Sequence, residues 1–90
     1  FKSSTLTMGS TSLSNSESGN DDVFVAKLGG TSGSVTWAAR YGGSDDDRAL
    51  AVAVDSSGYV YLTGGFASDT MTMGSTTLTN AGSGTFDVFV

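Results

Sequence analysis

The sequence predicts an all-β protein built from a repeated antiparallel unit, and three observations carry that reading. The first is an internal repeat. Residues 1–25, FKSSTLTMGSTSLSNSESGNDDVFV, align without a gap on residues 66–90, FASDTMTMGSTTLTNAGSGTFDVFV, at a period of 65 residues with sixteen of 25 positions identical. The identities include Phe1/Phe66, Thr7 to Thr11 with Thr72 to Thr76, Asn15/Asn80, and Asp22 to Val25 with Asp87 to Val90. The second is a set of four short strand patterns per period, bounded by glycine-rich joints. The third is composition. Serine, threonine and glycine abound, proline is absent, and no long window is dominated by alanine, leucine and glutamate as a helix would be.

The four strands are read in order as Asp22 to Leu28, Val35 to Tyr41, Arg48 to Asp55 and Tyr59 to Phe66, with Asp87 to Val90 repeating the first. Gly29-Gly30-Thr31-Ser32-Gly33 and Gly42-Gly43-Ser44-Asp45-Asp46-Asp47 supply two of the joints. Asp55-Ser56-Ser57-Gly58 supplies the third. An aspartate there bonds the backbone two residues on, and Gly58 takes the positive φ that closes a short hairpin. Residues 67–85 join the fourth strand to the next copy of the first, and the alternation in TMTMGSTTLT predicts an extra outer hairpin.

In the third strand Leu50, Val52 and Val54 alternate with Ala49, Ala51 and Ala53, so neither face is polar and both are expected to be covered. In the second, Val35, Trp37, Ala39 and Tyr41 share a face that also packs. Four antiparallel strands, a fixed period and two-sided burial point to a β-propeller with four-stranded blades, the outer hairpin lengthening the period. A β-sandwich or a β-solenoid could use the same strands, though four unequal strands per 65 residues suit a solenoid poorly.

DVFVAKL (22–28), Trp37, YGGSDDD (41–47) and AVAVDSSGYVYLTG (51–64) resemble the seven-bladed β-propeller repeats of large secreted and cell-surface proteins. The resemblance runs along the whole chain, and its most specific part is VDSSG with VYLTG. Tyr59 departs from it, since such repeats usually carry asparagine there. The resemblance implies that Arg48 to Asp55 is innermost in a blade, followed by Tyr59 to Phe66, Asp22 to Leu28 and Val35 to Tyr41. Residues 1–43 would then be the outer part of one blade with its preceding outer hairpin, and residues 44–90 the inner part of the next. Phe1 and the apolar run at Val90 read as internal points of a longer chain. The strand edges are then completed by further chain or other subunits.

Composition narrows the function. There is no cysteine and no histidine among the 90 residues, which removes disulfides, thiolate metal sites and the commonest general base. Serines lack a partner to activate them, a carboxylate pair would need a rigid frame, and Glu17 sits in the loop SNSESGN, so catalysis within these residues is not expected. The net charge of −5 repels phosphate backbones and anionic membrane surfaces, and no apolar run is long enough to insert in a membrane. No nucleic-acid partner and no cofactor are expected.

Asp45, Asp46 and Asp47 form the one dense acidic cluster and are the calcium candidates, carboxylates being hard ligands. Their spacing departs from the EF-hand loop, and the competing reading is a solvated turn. Asp21, Asp22 and Asp87 read as residues at the start of a strand that bond a neighbouring turn. Tyr59 and Tyr61, on the less apolar face of their strand, are the candidates for a glycan-stacking surface, against the core reading usual for alternating aromatics. The expected function is a structural or interaction module of a larger extracellular or cell-surface repeat protein, with a subunit of a surface appendage or filament as its specific form. Its partners would be neighbouring blades or other protein subunits. The alternatives are a propeller that binds glycans or matrix, and a non-catalytic piece of a secreted propeller enzyme.

Overall fold

The computed structural model describes residues 1–82 and 84–90. The described residues form nine strands and no helix: β1 (Thr5–Met8), β2 (Thr11–Ser14), β3 (Val23–Leu28), β4 (Val35–Tyr41), β5 (Asp47–Val54), β6 (Val60–Phe66), β7 (Thr70–Met73), β8 (Thr76–Thr79) and β9 (Asp87–Phe89). All pair antiparallel, as the hairpins β1–β2, β3–β4 and β7–β8 and the three-stranded sheet β5–β6–β9. The all-β expectation holds. The sheets stay separate and do not close on one another.

Local chemistry explains the small hairpins. In β1–β2, Met8 faces Thr11 across the two-residue loop Gly9-Ser10, and Gly9 has φ +60°. That is the first central position of a type II′ turn, where a side chain would clash and glycine does not. The next copy repeats it, with Gly74 at φ +61° between Met73 and Thr76. Short alternating Thr/Met/Leu runs then pair over four residues on each side. Between β5 and β6 the Asp55 carboxylate accepts the backbone N–H of Ser57 and of Tyr59, and Gly58 sits at φ +84°.

The core is small and lies where the hairpins meet. Val23, Phe66, Met71 and Phe89 are buried together, with Tyr41, Leu62, Met73 and Leu78 packed against them. It draws on β3, β6, β7 and β9, so the two copies of the repeated segment share one apolar cluster. The accessible surface is 5438 Å². A folded monomer of 9.1 kDa is expected to expose about 4,900 Å².

The excess surface has a visible source in β5. Leu50 is 80 % exposed, and Ala49, Ala51, Val52, Ala53 and Val54 are exposed as well. The cover expected for both faces of this strand is not supplied within the described residues: Arg48 to Val54 are exposed and only Asp47, at its start, is buried. The alternation expected from Ala49 to Val54 is also interrupted. The register shifts between Ala49 and Ala51, leaving Leu50 without a cross-strand partner, as in a β-bulge. Gly64 lies opposite, where a Cβ would collide with the Arg48 carbonyl oxygen. In β4, Tyr41 packs on the core while Trp37 stays 39 % exposed.

Candidate functional site

Two features of the structure can do something chemically or mechanically: a polar clasp at the joints between sheets, and a set of uncovered apolar faces and strand edges.

The clasp is built from the aspartates of the joints. Asp47 is 1 % exposed. Its Oδ2 accepts the Gly43 N–H at 2.7 Å and the Ser68 hydroxyl at 2.8 Å, so one carboxylate ties the β4–β5 joint to the segment after β6. Burial pushes the Asp47 carboxyl above its ordinary value, against the pull of these donors. Ser68 in turn accepts the Asp45 N–H at 2.9 Å. Gly43 has to be glycine here. A Cβ would meet the Thr70 carbonyl oxygen and lie 2.6 Å from the Ser68 Cβ. Gly42 is pressed in the same way against the Asp22 carboxylate.

Asp46 points elsewhere. Its Oδ1 accepts the Asp21 N–H at 2.8 Å and its Oδ2 pairs with Arg48 at 3.1 Å. The Asp21 N–H is the first cause that holds the Asp46 carboxyl below its ordinary value, and Arg48 adds to it. Arg48 also bonds Asp21 at 2.9 Å and lies 5.7 Å from the ring centre of Phe86. Asp45 accepts the N–H of Asp46. The three calcium candidates are thus each turned to different protein donors. Among the described residues no three carboxylates converge as a metal site would need.

A second lock occurs twice, once per copy. The Asn15 side-chain amide donates to the carbonyls of Phe1 (2.8 Å) and Asn20 (3.0 Å), and its oxygen accepts the Glu17 N–H. Asn80 makes the matching bonds to Phe66 (3.0 Å) and Thr85 (2.7 Å) and accepts the Gly82 N–H. Asp22 accepts the Ser16 N–H and Asp87 accepts the Ala81 N–H, both at 2.7 Å. Asp22 immediately precedes β3 and Asp87 opens β9, each bonding the preceding turn, and Asp22 adds an ion pair with Arg40 at 3.5 Å. The sequence reading assigned no role to Asn15, Asn80 or Ser68. The available signal was their retention between copies whose neighbouring loop residues differ, at Ser16/Ala81, Glu17/Gly82 and Asn20/Thr85.

Tyr59 and Tyr61 are 68 % and 55 % exposed. The Tyr61 hydroxyl donates to Asp55 at 3.1 Å, so its polar end is already engaged in the turn. The Tyr59 N–H is the main cause that lowers the Asp55 carboxyl. Tyr61 also borders a groove of about 210 Å³ with Trp37, Tyr41, Val60 and Met73. A larger groove of about 450 Å³ runs between the uncovered sides of β3 and β5 and is lined by Phe24, Leu28, Leu50 and Val52 among others. Both grooves are predominantly apolar and lack a convergent set of polar groups, so they suit packing better than small-molecule recognition.

Comparison with family models, with curated proteins and with solved structures finds no match for this chain.

Proposed function

We propose that this chain is a structural and interaction module, a blade-forming β-propeller repeat of an extracellular or cell-surface protein. One observation carries the reading. The sheet begun by β5 and β6 is continued by β9, and β9 is the next copy of β3. A sheet that takes its third strand from the following period joins neighbouring repeats mechanically, as the blades of a propeller are joined. The order β5, β6, β9 is the inner-to-outer order expected for a blade, and the separate β3–β4 hairpin corresponds to the outer half of its neighbour. The uncovered faces of β5 suit stacking of further sheets on either side. The Ser/Thr-rich, acidic, cysteine-free composition supports the extracellular setting, and an appendage or filament subunit is its specific form.

The test is the intact mass and particle shape of the native polypeptide that carries this sequence. A mass of several 65-residue periods and ring-shaped or stacked particles are expected. A native polypeptide of about 9.1 kDa that stays an isolated monomer overturns the reading.

A further inference from the structure

The outer hairpin carries a face whose chemistry the fold does not require. In β1–β2, Thr5 pairs with Ser14 and Thr7 with Ser12; in β7–β8, Thr70 pairs with Thr79 and Thr72 with Thr77. Strand alternation turns these residues to one side and the apolar ones between them to the other. All eight are exposed, while Leu13 and Met71 are buried on the opposite side. The exposure does not depend on which neighbour is present. In the first copy β2 contacts β4, and in the second β7, the copy of β1, contacts that same strand. Between them the copies show both strands of the hairpin against a neighbour, and the hydroxyl face is open in each. Among the described residues the hydroxyls of Thr70, Thr72, Thr77 and Thr79 make no hydrogen bond, and in the first copy Thr7 and Ser12 meet each other at 3.5 Å.

The two copies differ at nine of their 25 aligned positions. Six of these change the functional group, as at Glu17/Gly82 and Asp21/Phe86, and Leu6/Met71 stays apolar on the covered side. The two that fall on the open face, Ser12/Thr77 and Ser14/Thr79, exchange only serine and threonine. Strand preference accounts for threonine there but not for serine. A close-packed contact would register the methyl group that separates the two. A hydroxyl that accepts a covalent group is supplied equally by either. We propose that this face is an O-glycosylation site, with Thr70, Thr72, Thr77 and Thr79 and their counterparts in β1–β2 as the acceptors. The sugar comes from a donor that carries it on a phosphate, brought by a separate transferase. The side-chain oxygen attacks the anomeric carbon and forms the glycosidic bond. The bond from that carbon to the phosphate oxygen breaks, the phosphate leaves with the electron pair, and the hydroxyl proton passes to a base of the transferase. A bulky, solubilising group is accommodated only where the surface stays open, as this face does. The 90 residues contain no Asn-x-Ser/Thr acceptor, so attachment through nitrogen has no site in them.

The inference rests on the extracellular setting proposed above but has its own test. Peptides spanning residues 5–14 and 70–79 of the native polypeptide, purified from the cells that make it, should carry the added mass of whole sugar residues. Electron-transfer fragmentation should place the sugars on the face hydroxyls, in severalfold higher occupancy than on the exposed loop serines Ser56 and Ser57. A variant carrying Thr70→Val, Thr72→Val, Thr77→Val and Thr79→Val, made in the same cells, keeps the branched side-chain shape. It should lose the sugars from 70–79, retain those on 5–14 and retain its circular dichroism spectrum. Both peptides at their unmodified mass, or sugars confined to the loop serines, overturn the inference. The scaffold reading stands or falls separately, on the mass of the polypeptide after any sugars are removed.

Discussion

Replacing Asn80 with alanine is the sharpest probe of how β9 is held to the end of β6. The side chain bonds the last carbonyl of β6, at Phe66, and the carbonyl of Thr85 just before β9, and it accepts the Gly82 N–H between them. Each bond contributes about 1 kcal/mol net in a folded protein, and water replaces part of that at a half-exposed site. The expected loss is about 2 kcal/mol. In a domain of this size that lowers the melting temperature by about 8–16 °C. Asn15→Ala removes three matching bonds but frees only Phe1 and the 16–20 loop, away from the Phe66–Met71–Phe89 cluster, and should cost about half as much on the same reasoning. Urea unfolding followed by far-ultraviolet circular dichroism reads both. Asn80→Asp sharpens the comparison, because it keeps the acceptor for Gly82 but turns a carboxylate toward two carbonyl oxygens. It should be at least as damaging as alanine. An aspartate variant milder than alanine, or an alanine variant within about 0.5 kcal/mol of the parent, refutes the assignment of the amide as the donor that ties the end of β6 to the approach of β9.

Gly43→Ala should destabilise by about 1–3 kcal/mol or more, since the new Cβ meets the Thr70 carbonyl and Ser68. Gly30→Ala, with open space around its Cβ and ordinary backbone angles, should be near neutral in the same melting assay. Asp47→Asn removes one of two carboxylate acceptors, and its cost should depend on pH. The folded carboxyl lies above its ordinary 3.8, so the parent is favoured most at low pH and loses that contribution as pH rises through the window above 3.8. The cost of the variant should therefore shrink between pH 3 and neutrality, and a cost that grows with pH contradicts the burial of Asp47 as the cause. Asp46 and Asp55 have the opposite sign. Their lowered carboxyls favour the fold above 3.8 and lose that contribution as pH falls, so Asp55→Ala should flatten the acid limb of a stability–pH curve. Met71→Ala, at a fully buried site, should cost about 2–5 kcal/mol, whereas Val52→Lys on the exposed strand should stay within about 0.5 kcal/mol in the same denaturation experiment.

The strands were legible because their signals are local. Val35–Tyr41 appears with the limits that its residues predict, and the others shift by one residue at an end, β5 at both. The outer hairpin was legible from TMTMGSTTLT because Gly74 and Gly9 stand where a two-residue turn demands a positive φ. Less was readable in the acidic joint. Asp45, Asp46 and Asp47 are adjacent in sequence, yet one is exposed, one is bridged to Arg48 and one is buried under Ser68. That division depends on partners more than twenty residues away, which no window of neighbours contains. The bulge at Leu50 was hidden for a similar reason, since strict alternation in β5 conceals a register shift set by Gly64 on the opposite strand. Tyr59 and Tyr61 are both exposed, and the bond from Tyr61 to Asp55 is a tertiary detail of the turn.

Because β9 belongs to one period and completes the sheet of the one before, the stretch that duplicates and the stretch that folds are out of phase. Insertion or loss of 65 codons, with breakpoints at matching points of residues 1–25 and 66–90, leaves a junction inside the repeated segment itself. Such a gene can lengthen or shorten by unequal recombination without inventing a new interface. The constraint falls on the locked segments, since an insertion between Phe66 and Asn80 or between Asn80 and Thr85 would carry the asparagine away from a carbonyl that it has to reach.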